Sequence, residues 1–545
     1  MEHNARYIYI YIQGDKRKGL IIDILAILIL TVCIGFLAFG HLNNSCQWGD
    51  DFAAYINQGI AIAEGRFEEQ IRLNYMMHPS FMPDEAVDGE LVYVWGYSLI
   101  LALVYKLVGF DRLEYSSILF YKIPSAVALI LLSAVIYLFL RRRFGYKLSF
   151  FLSLFFCTCA EFYIFLDTMY SDLVFLFFAV LAFYLFELFI DASGKKRWLL
   201  AVFSGICLWF MYEVRLNGIA VLFACVFAHV IWLFRLKKKG ISPDLKSLLP
   251  ELLPYAVFLL LKITSEAILA PATSNASDIV GTNFGTIYGN MRHYFGMIRD
   301  WYASMWKNII QTFLVLGFTP RNNNTLYYVS SFLSWSSVLL CAVGIVFDGI
   351  KRNLHYTAFL GVYLFVSCML FYNQGLRYIY PILPILLMFT GYGLVRIVGV
   401  IKLPEKLRRV GSFAMLFVVL GFSACLVYPR YVQVVNVQQN QGPDAAYASA
   451  EVSAQQNAYS SSALEVYEYI NSNLPEDCVI GFFKPRALYL NTQRMSLALS
   501  SLLDNSLDDV DYYLIFRHMI IDPEPTEDFV AIWENQDFIM MEKQA

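Results

Sequence analysis

Blocks of about twenty apolar residues recur along this chain, and they constrain its fold more than any other feature. A helical run of that length reaches across the hydrocarbon core of a bilayer. Lipid admits only backbones whose N–H and C=O groups are bonded internally, so each block reads as a spanning helix. Candidate spans are 20–40, 118–140, 147–165, 170–190, 198–214, 216–234, 250–270, 326–347, 356–372, 378–400 and 411–430. Of 545 residues 58% are hydrophobic and 16% charged, where a soluble chain carries roughly a quarter charged. The net charge of −3 calls for no nucleic-acid partner.

The charges sit between the blocks, and their sign orients the chain. Lys16, Arg17 and Lys18 precede the first block, which lacks a small-residue cleavage site and reads as a retained signal anchor. With about eleven spans, Arg141–Arg143, Lys195–Arg197, Arg235 with Lys237–Lys239, Lys351–Arg352 and Lys402–Arg409 all fall on the side of the N-terminus, the cytoplasm. An odd count puts the C-terminal segment outside. The expectation is a multi-pass protein of the plasma (inner) membrane.

Two apolar stretches remain: 93–109, which carries Lys106, and 306–318. They read as interfacial or re-entrant helices, with a pair of true spans as the alternative. The expected organisation is a transmembrane module over 1–430, a linker rich in Gln, Ser and Ala over 431–462, and an extracytoplasmic α/β domain over 463–545. The first extracytoplasmic loop is 41–117 and the second long one 271–325. In the tail, helices are expected at 463–473 and 485–491, and strands at 478–483, 512–516, 529–533 and 538–541. The fold class is therefore an all-α polytopic membrane protein with a small C-terminal α/β soluble domain. Seven of the ten cysteines lie inside apolar blocks and read as small core residues, with no zinc or disulfide spacing.

Ionisable residues gather at the outer ends of the spans. Asp50 and Asp51 follow the first span and open an amphipathic segment; they read as helix caps or as functional carboxylates, and the two readings are compatible. Asp172 lies at a span start, at the water interface or in a site. Arg215, before Asn217-Gly218, suits a phosphate through its bidentate fork, or snorkels at a helix end. Arg377 and Tyr378 open the Arg377–Pro384 segment and suit an anionic lipid head group. His293 lies in the second long loop. No Ser/His/Asp set, phosphate-binding glycine loop or HExxH pair is present.

The pattern resembles the GT-C membrane glycosyltransferases, the superfamily of the protein O-mannosyltransferases and of the bacterial aminoarabinose transferase that acts on lipid A. The resemblance rests on Asp51 with Tyr55, Ala61 and Gly65; on Tyr93–Tyr97 running to Lys106 and Gly109; on Ser171–Phe175; on Arg215 with Gly218; on Arg377–Pro384; and on Lys484–Tyr489 in the tail. By the spacing to Tyr55, Asp51 is the counterpart of the family's principal acid, with Asp50 preceding it. The resemblance implies sugar transfer from a polyprenyl-phosphate-linked donor to a glycan, lipid or protein acceptor on the extracytoplasmic face, by an inverting single displacement with an Asp base. It further implies Asp51 and Asp50 as catalytic acids; Arg215, Arg377, Tyr378 and Lys106 at the donor phosphate and lipid; and Tyr55, Asp172 and His293 at the substrate. No cofactor and no metal are expected. A transporter or flippase of lipid-linked sugars, or a non-catalytic partner in polysaccharide assembly, is the competing reading; a transporter would place its ionisable residues near the bilayer midplane.

Overall fold

The computed structural model describes residues 16–42, 46, 48, 50–77, 94–110, 116–238, 245–269, 284–315, 323–370, 375–400, 457–498, 510–517 and 528–544. Helix α1 (Lys16–His41) is followed by α2 (Asp50–Glu64), α3 (Phe67–Met76), α4 (Trp95–Val108) and α5 (Ser116–Arg141). Then come α6 (Tyr146–Cys157), α7 (Ala160–Asp167), α8 (Asp172–Asp191), α9 (Gly194–Val214), α10 (Gly218–Lys238) and α11 (Leu245–Leu269). The helical part ends with α12 (Phe284–Val315), α13 (Asn323–Gly344), α14 (Leu354–Leu370), a 3-10 turn (Leu376–Ile382) and α15 (Leu383–Val400). Seven of the described helical stretches are long and apolar enough to cross a membrane, and exposed Leu25, Phe203, Leu260 and Phe332 on their outer faces need lipid as solvent. The chain is a multi-pass membrane protein. The expected span 411–430 lies outside the described residues.

One end of the bundle is tied by ion pairs between helix termini. Arg142 meets Asp191 and lies 3.0 Å from Glu187, Arg143 meets Glu187, and Arg197 meets Glu251. Arg396 binds Asp348 at 2.7 Å, inside a π-helical turn over Ile345–Gly349. The basic clusters at 141–143, 195–197 and 351–352 thus share one end, while the starts of α2 and α8 and the end of α9 lie at the other.

Two segments depart from the sequence reading. The block 147–165 is not one span but α6 and α7. The Thr158 hydroxyl bonds back to the Phe155 carbonyl at 3.1 Å, and Cys159 is extended (φ −59°, ψ 124°), which stops the ladder. Residues 284–315, read as loop leading into a short interfacial helix, form one 32-residue helix. Tyr294, Ile298, Trp301, Tyr302 and Met305 form its buried stripe, and Tyr302 Oη lies 2.6 Å from Thr390 Oγ1 of α15. Arg292, Arg299, Asp300 and Lys307 lower its apolar content and hide it from a hydropathy reading.

The C-terminal sheet domain carries α16 (Ser461–Asn473), β1 (Val479–Phe482), α17 (Pro485–Thr492), β2 (Met495–Ala498), β3 (Tyr512–Phe516), β4 (Phe529–Glu534) and β5 (Phe538–Lys543). Strand order is β2-β1-β3-β5-β4. Strand β1 runs parallel to β2 and β3, which demands a crossover, supplied toward β2 by α17. The β3–β5 and β5–β4 pairs are antiparallel, with Phe516 opposite Phe538. Val466, Tyr467, Ile470, Ile480, Phe482, Leu514, Phe516, Phe538 and Met540 form its core. Helix α17 packs against α2, so the domain sits at the end of the bundle where α2 begins.

Candidate active site

Six of the residues singled out from sequence converge at the start of α2. Asp51 and Tyr55 stand one turn apart on a single face of α2. Asp51 Oδ2 lies 3.8 Å from Arg377 Nη1. The Tyr55 hydroxyl lies 3.1 Å from Ser171 Oγ, and its ring meets Tyr97 edge-on at 5.1 Å. Asp172, the first residue of α8, is fully buried and pairs with Arg215 at the end of α9. Among the described residues its second oxygen, Oδ2, has no hydrogen-bond partner.

Tyr378 is the hub of the cationic side. The Arg215 and Arg377 guanidinium carbons each lie 5.3 Å from its ring centroid, and Arg377 also lies 5.6 Å from that of Tyr170. The Tyr378 carbonyl accepts a bond from Tyr363 Oη at 2.7 Å, which fixes the 3-10 turn. Burial opposes the charge on Arg215, yet Asp172, Tyr55, Tyr378 and Asp51 together raise its pKa above the ordinary value. Burial likewise opposes the charge on Arg377; Asp172 raises its pKa, Arg215 lowers it, and Tyr378 and Asp51 raise it, leaving the pKa above the ordinary value. Burial pushes the Tyr55 phenol up to about 12, with Arg215 pulling down and Asp51 and Asp172 pushing further up.

Local backbone chemistry builds this convergence. Gly96 lets α4 cross against α9 where a Cβ would meet the Glu213 carbonyl carbon at 2.6 Å, two residues before Arg215. At Gly218 a Cβ would meet Tyr212 Cα at 2.8 Å, so the tight α9–α10 turn that presents Arg215 needs glycine. Met169, buried in the turn before α8, has φ 55°, a left-handed value that costs about 1–2 kcal/mol for a residue with a Cβ. It re-aims the backbone so that Tyr170 and Ser171 face Arg377 and Tyr55.

The side chain of Asp50 lies outside the described residues; its backbone opens α2 with Asp51. The contacts that join the six include neither Lys106 nor His293. Helix α4 runs alongside α2 in the same direction, with Tyr97 beside Tyr55 and Tyr105 bonded to Glu64 at 2.6 Å. Lys106 is exposed in the last turn of α4, about 13 Å beyond Tyr97 along the helix. His293 is half-exposed on α12, its ring 5.8 Å from that of buried Tyr294.

Tyr170, Ser171, Tyr97 and Ser125 complete the cluster and had no assigned role in the sequence reading. Ser125 Oγ lies 3.3 Å from Tyr97 Oη and donates to the Tyr170 carbonyl at 3.5 Å. Lys122, one turn before Ser125 on α5, is fully buried. A lysine inside an apolar block is the signal that could have drawn attention to this part of α5.

Asp51 is the reachable acid: its side chain is 39% exposed, against 0% for Asp172. A group arriving at Asp51 meets a carboxylate on one side and two guanidinium groups around one aromatic ring on the other. No group of three or more His, Cys, Asp or Glu side chains is placed to hold a metal among the described residues.

No family model and no curated protein matches the sequence. Solved structures do match the fold. ArnT from Cupriavidus metallidurans, bound to undecaprenyl phosphate, aligns over 97% of this chain and 98% of its own, with a TM-score of 0.50 and 12% identity. The oligosaccharyltransferase of Archaeoglobus fulgidus, tethered to an acceptor peptide, aligns over 93% of this chain and 70% of its own, with a TM-score of 0.52 and 13% identity. The same enzyme in complex with Zn and sulfate aligns over 91% and 68%, with a TM-score of 0.52 and 12% identity. From the first span to the C-terminal sheet, this chain is similar to these proteins in fold, the fold of the GT-C membrane glycosyltransferases.

Proposed function

We propose that this protein is a membrane glycosyltransferase that moves a sugar from a polyprenyl-phosphate-linked donor to an acceptor hydroxyl on the extracytoplasmic face. The observation that carries the reading is the pairing of Asp51 with Arg377 at 3.8 Å beside a second guanidinium, Arg215, on the same tyrosine. That arrangement puts a base and a phosphate cradle at one point.

In the proposed reaction the Asp51 carboxylate takes the acceptor's hydroxyl proton as its oxygen attacks the anomeric carbon. The new C–O bond forms as the bond from C1 to the phosphate oxygen breaks, with inversion. The leaving polyprenyl phosphate keeps the electron pair, and its growing charge is met by Arg377 and Arg215, which bind phosphate oxygens through planar forks. Asp172 holds Arg215 in place, and its unfilled oxygen faces the charged cluster. Tyr55 and Tyr378 wall the site. The arginines supply the cationic charge, and a monophosphate leaving group needs no divalent ion.

Sidedness follows from the basic clusters at the opposite end of the bundle, which favour the cytoplasm. The fold likeness to ArnT bound to undecaprenyl phosphate supports a polyprenyl carrier. A lipid-linked-sugar transporter fits less well, because its charges would stand at mid-depth; here Asp51, Asp172, Arg215 and Arg377 share one end. The test is incubation of purified, reconstituted protein with radiolabelled polyprenyl-phosphate sugars and membrane extract. Label passing to an acceptor is the expected result, and label staying on the carrier with every sugar and extract tried rejects the transferase.

A further inference from the structure

Trp48 stands three residues before Asp51, and it is lodged in the far C-terminal domain. Its ring lies 5.7 Å from Phe482, 5.6 Å from Phe483, 5.7 Å from Phe516 and 6.1 Å from Phe538. Those rings come from β1, the residue after it, β3 and β5. Two residues upstream, the Cys46 amide donates to Asn457 Oδ1 at 3.0 Å, and the Cys46 carbonyl accepts from the Ala458 amide at 2.7 Å. Downstream, Asn57 Nδ2 of α2 donates to the Arg486 carbonyl at 3.2 Å. The acid-bearing first turn of α2 is thus bracketed by attachments to residues 457–538.

Chain connectivity cannot fix that turn by itself. The nine peptide units from His41 at the end of α1 to Asp50 reach up to about 30 Å when extended, far more tolerance than a proton transfer allows. On the other side, Asp51 touches Arg377 at 3.8 Å, too long for a tight ion pair to hold it. A well-packed aromatic anchor three residues away is the structure's means of setting the carboxylate's place.

We infer that Trp48 is a positioning residue for Asp51: through it, the sheet domain sets where the base stands relative to the two arginines. The inference rests on the reading of Asp51 as the base. It assigns the C-terminal domain a part in catalysis that needs no contact with substrate.

A misplacement of about 1 Å costs a reaction of this kind about 100-fold. In the full-length reconstituted protein, Trp48→Ala is expected to lower kcat about 100-fold while KM for the polyprenyl-phosphate sugar moves less than about 3-fold. Trp48→Phe, which keeps a ring among the four phenylalanines, is expected to restore most of the rate. In an Asp51→Asn background, Trp48→Ala is expected to add no further loss, because the group it positions is gone. Asn457→Ala releases only the Cys46 amide and is expected to lower kcat in the same sense but less; it decides the matter if Trp48→Ala proves aggregated by size-exclusion chromatography. Full kcat in Trp48→Ala, a loss carried by KM, or a multiplicative loss on top of Asp51→Asn overturns the positioning role alone. Wild-type protein that transfers no sugar overturns the transferase reading, and the positioning role with it.

Discussion

Asp51 and Arg377, at opposite ends of the helical part of the chain, face each other at 3.8 Å where α2 begins. Neither residue makes sense alone: a carboxylate at a helix start is a common cap, and an arginine before a proline-rich turn is a common interface anchor. Together with Arg215 they form a place where a proton can be taken and a phosphate held.

Asp51→Asn is expected to lower sugar transfer by about 10²–10⁴-fold, the range over which a positioned base acts. Donor KM should stay near wild type, and the variant should elute and melt like it. Radiolabel transfer in proteoliposomes measures the loss. Wild-type rates in Asp51→Asn would remove this residue from the chemistry.

Arg377→Lys keeps the charge and loses the fork. It is expected to lower kcat/KM about 10-fold, and Arg377→Ala about 100-fold, since each interaction lost in the transition state is worth about 1.5–3 kcal/mol. Steady-state kinetics over donor concentration separates these outcomes. Equal rates for Lys and Arg would mean that only a diffuse positive charge is needed.

Asp172→Asn tests stability. Arg215 would stay buried without its ion-pair partner, and breaking a buried pair by removing one member costs about 3–5 kcal/mol. A lowered denaturation midpoint in detergent is expected, with the double variant Asp172→Asn, Arg215→Met recovering part of the loss. No change in midpoint would mean that water or lipid reaches Arg215.

Tyr55 gives a pH signature. Its phenol stands near 12 in the folded protein, against an ordinary value near 10, because burial disfavours the phenolate. The folded-state pKa is raised, so this contribution to stability is intact below about pH 10 and is lost as pH rises from about 10 to 12. At pH 11 the wild type should have lost about 1 kcal/mol that Tyr55→Phe does not lose. Chemical denaturation of both at pH 9 and pH 11 reads the difference; parallel curves would contradict the burial.

Chelation gives the fifth outcome. With Arg215 and Arg377 carrying the positive charge, transfer should persist in excess EDTA within about 2-fold. A loss restored by added Mg²⁺ or Mn²⁺ would show that a metal joins the site.

The sequence revealed most of the bundle because an apolar block long enough to span has few other fates. It revealed the candidate residues one at a time, as charges out of place at block ends, but not their convergence. Asp51, Asp172, Arg215 and Arg377 come from four separate helix ends, and only packing brings those ends together. Lys106 stood in a matching motif, yet the direction of α4 carries it to the far end of its helix. Helix α12 was hidden because Arg292, Arg299, Asp300 and Lys307 diluted its buried stripe. Strand β2 was missed because four residues, Met495–Ala498, become a strand only through parallel pairing with β1.

The bond between the Cys46 amide and Asn457 joins residues 411 positions apart. At about 5–20 residues per second, a ribosome needs roughly 20–80 s to make the second partner after the first. During that interval the spans can enter the bilayer while the turn holding Asp51 has nothing to grip it. Assembly of the catalytic end is therefore a late, post-insertion event, and ribosome-stalled chains lacking the terminal sheet should be embedded but inert.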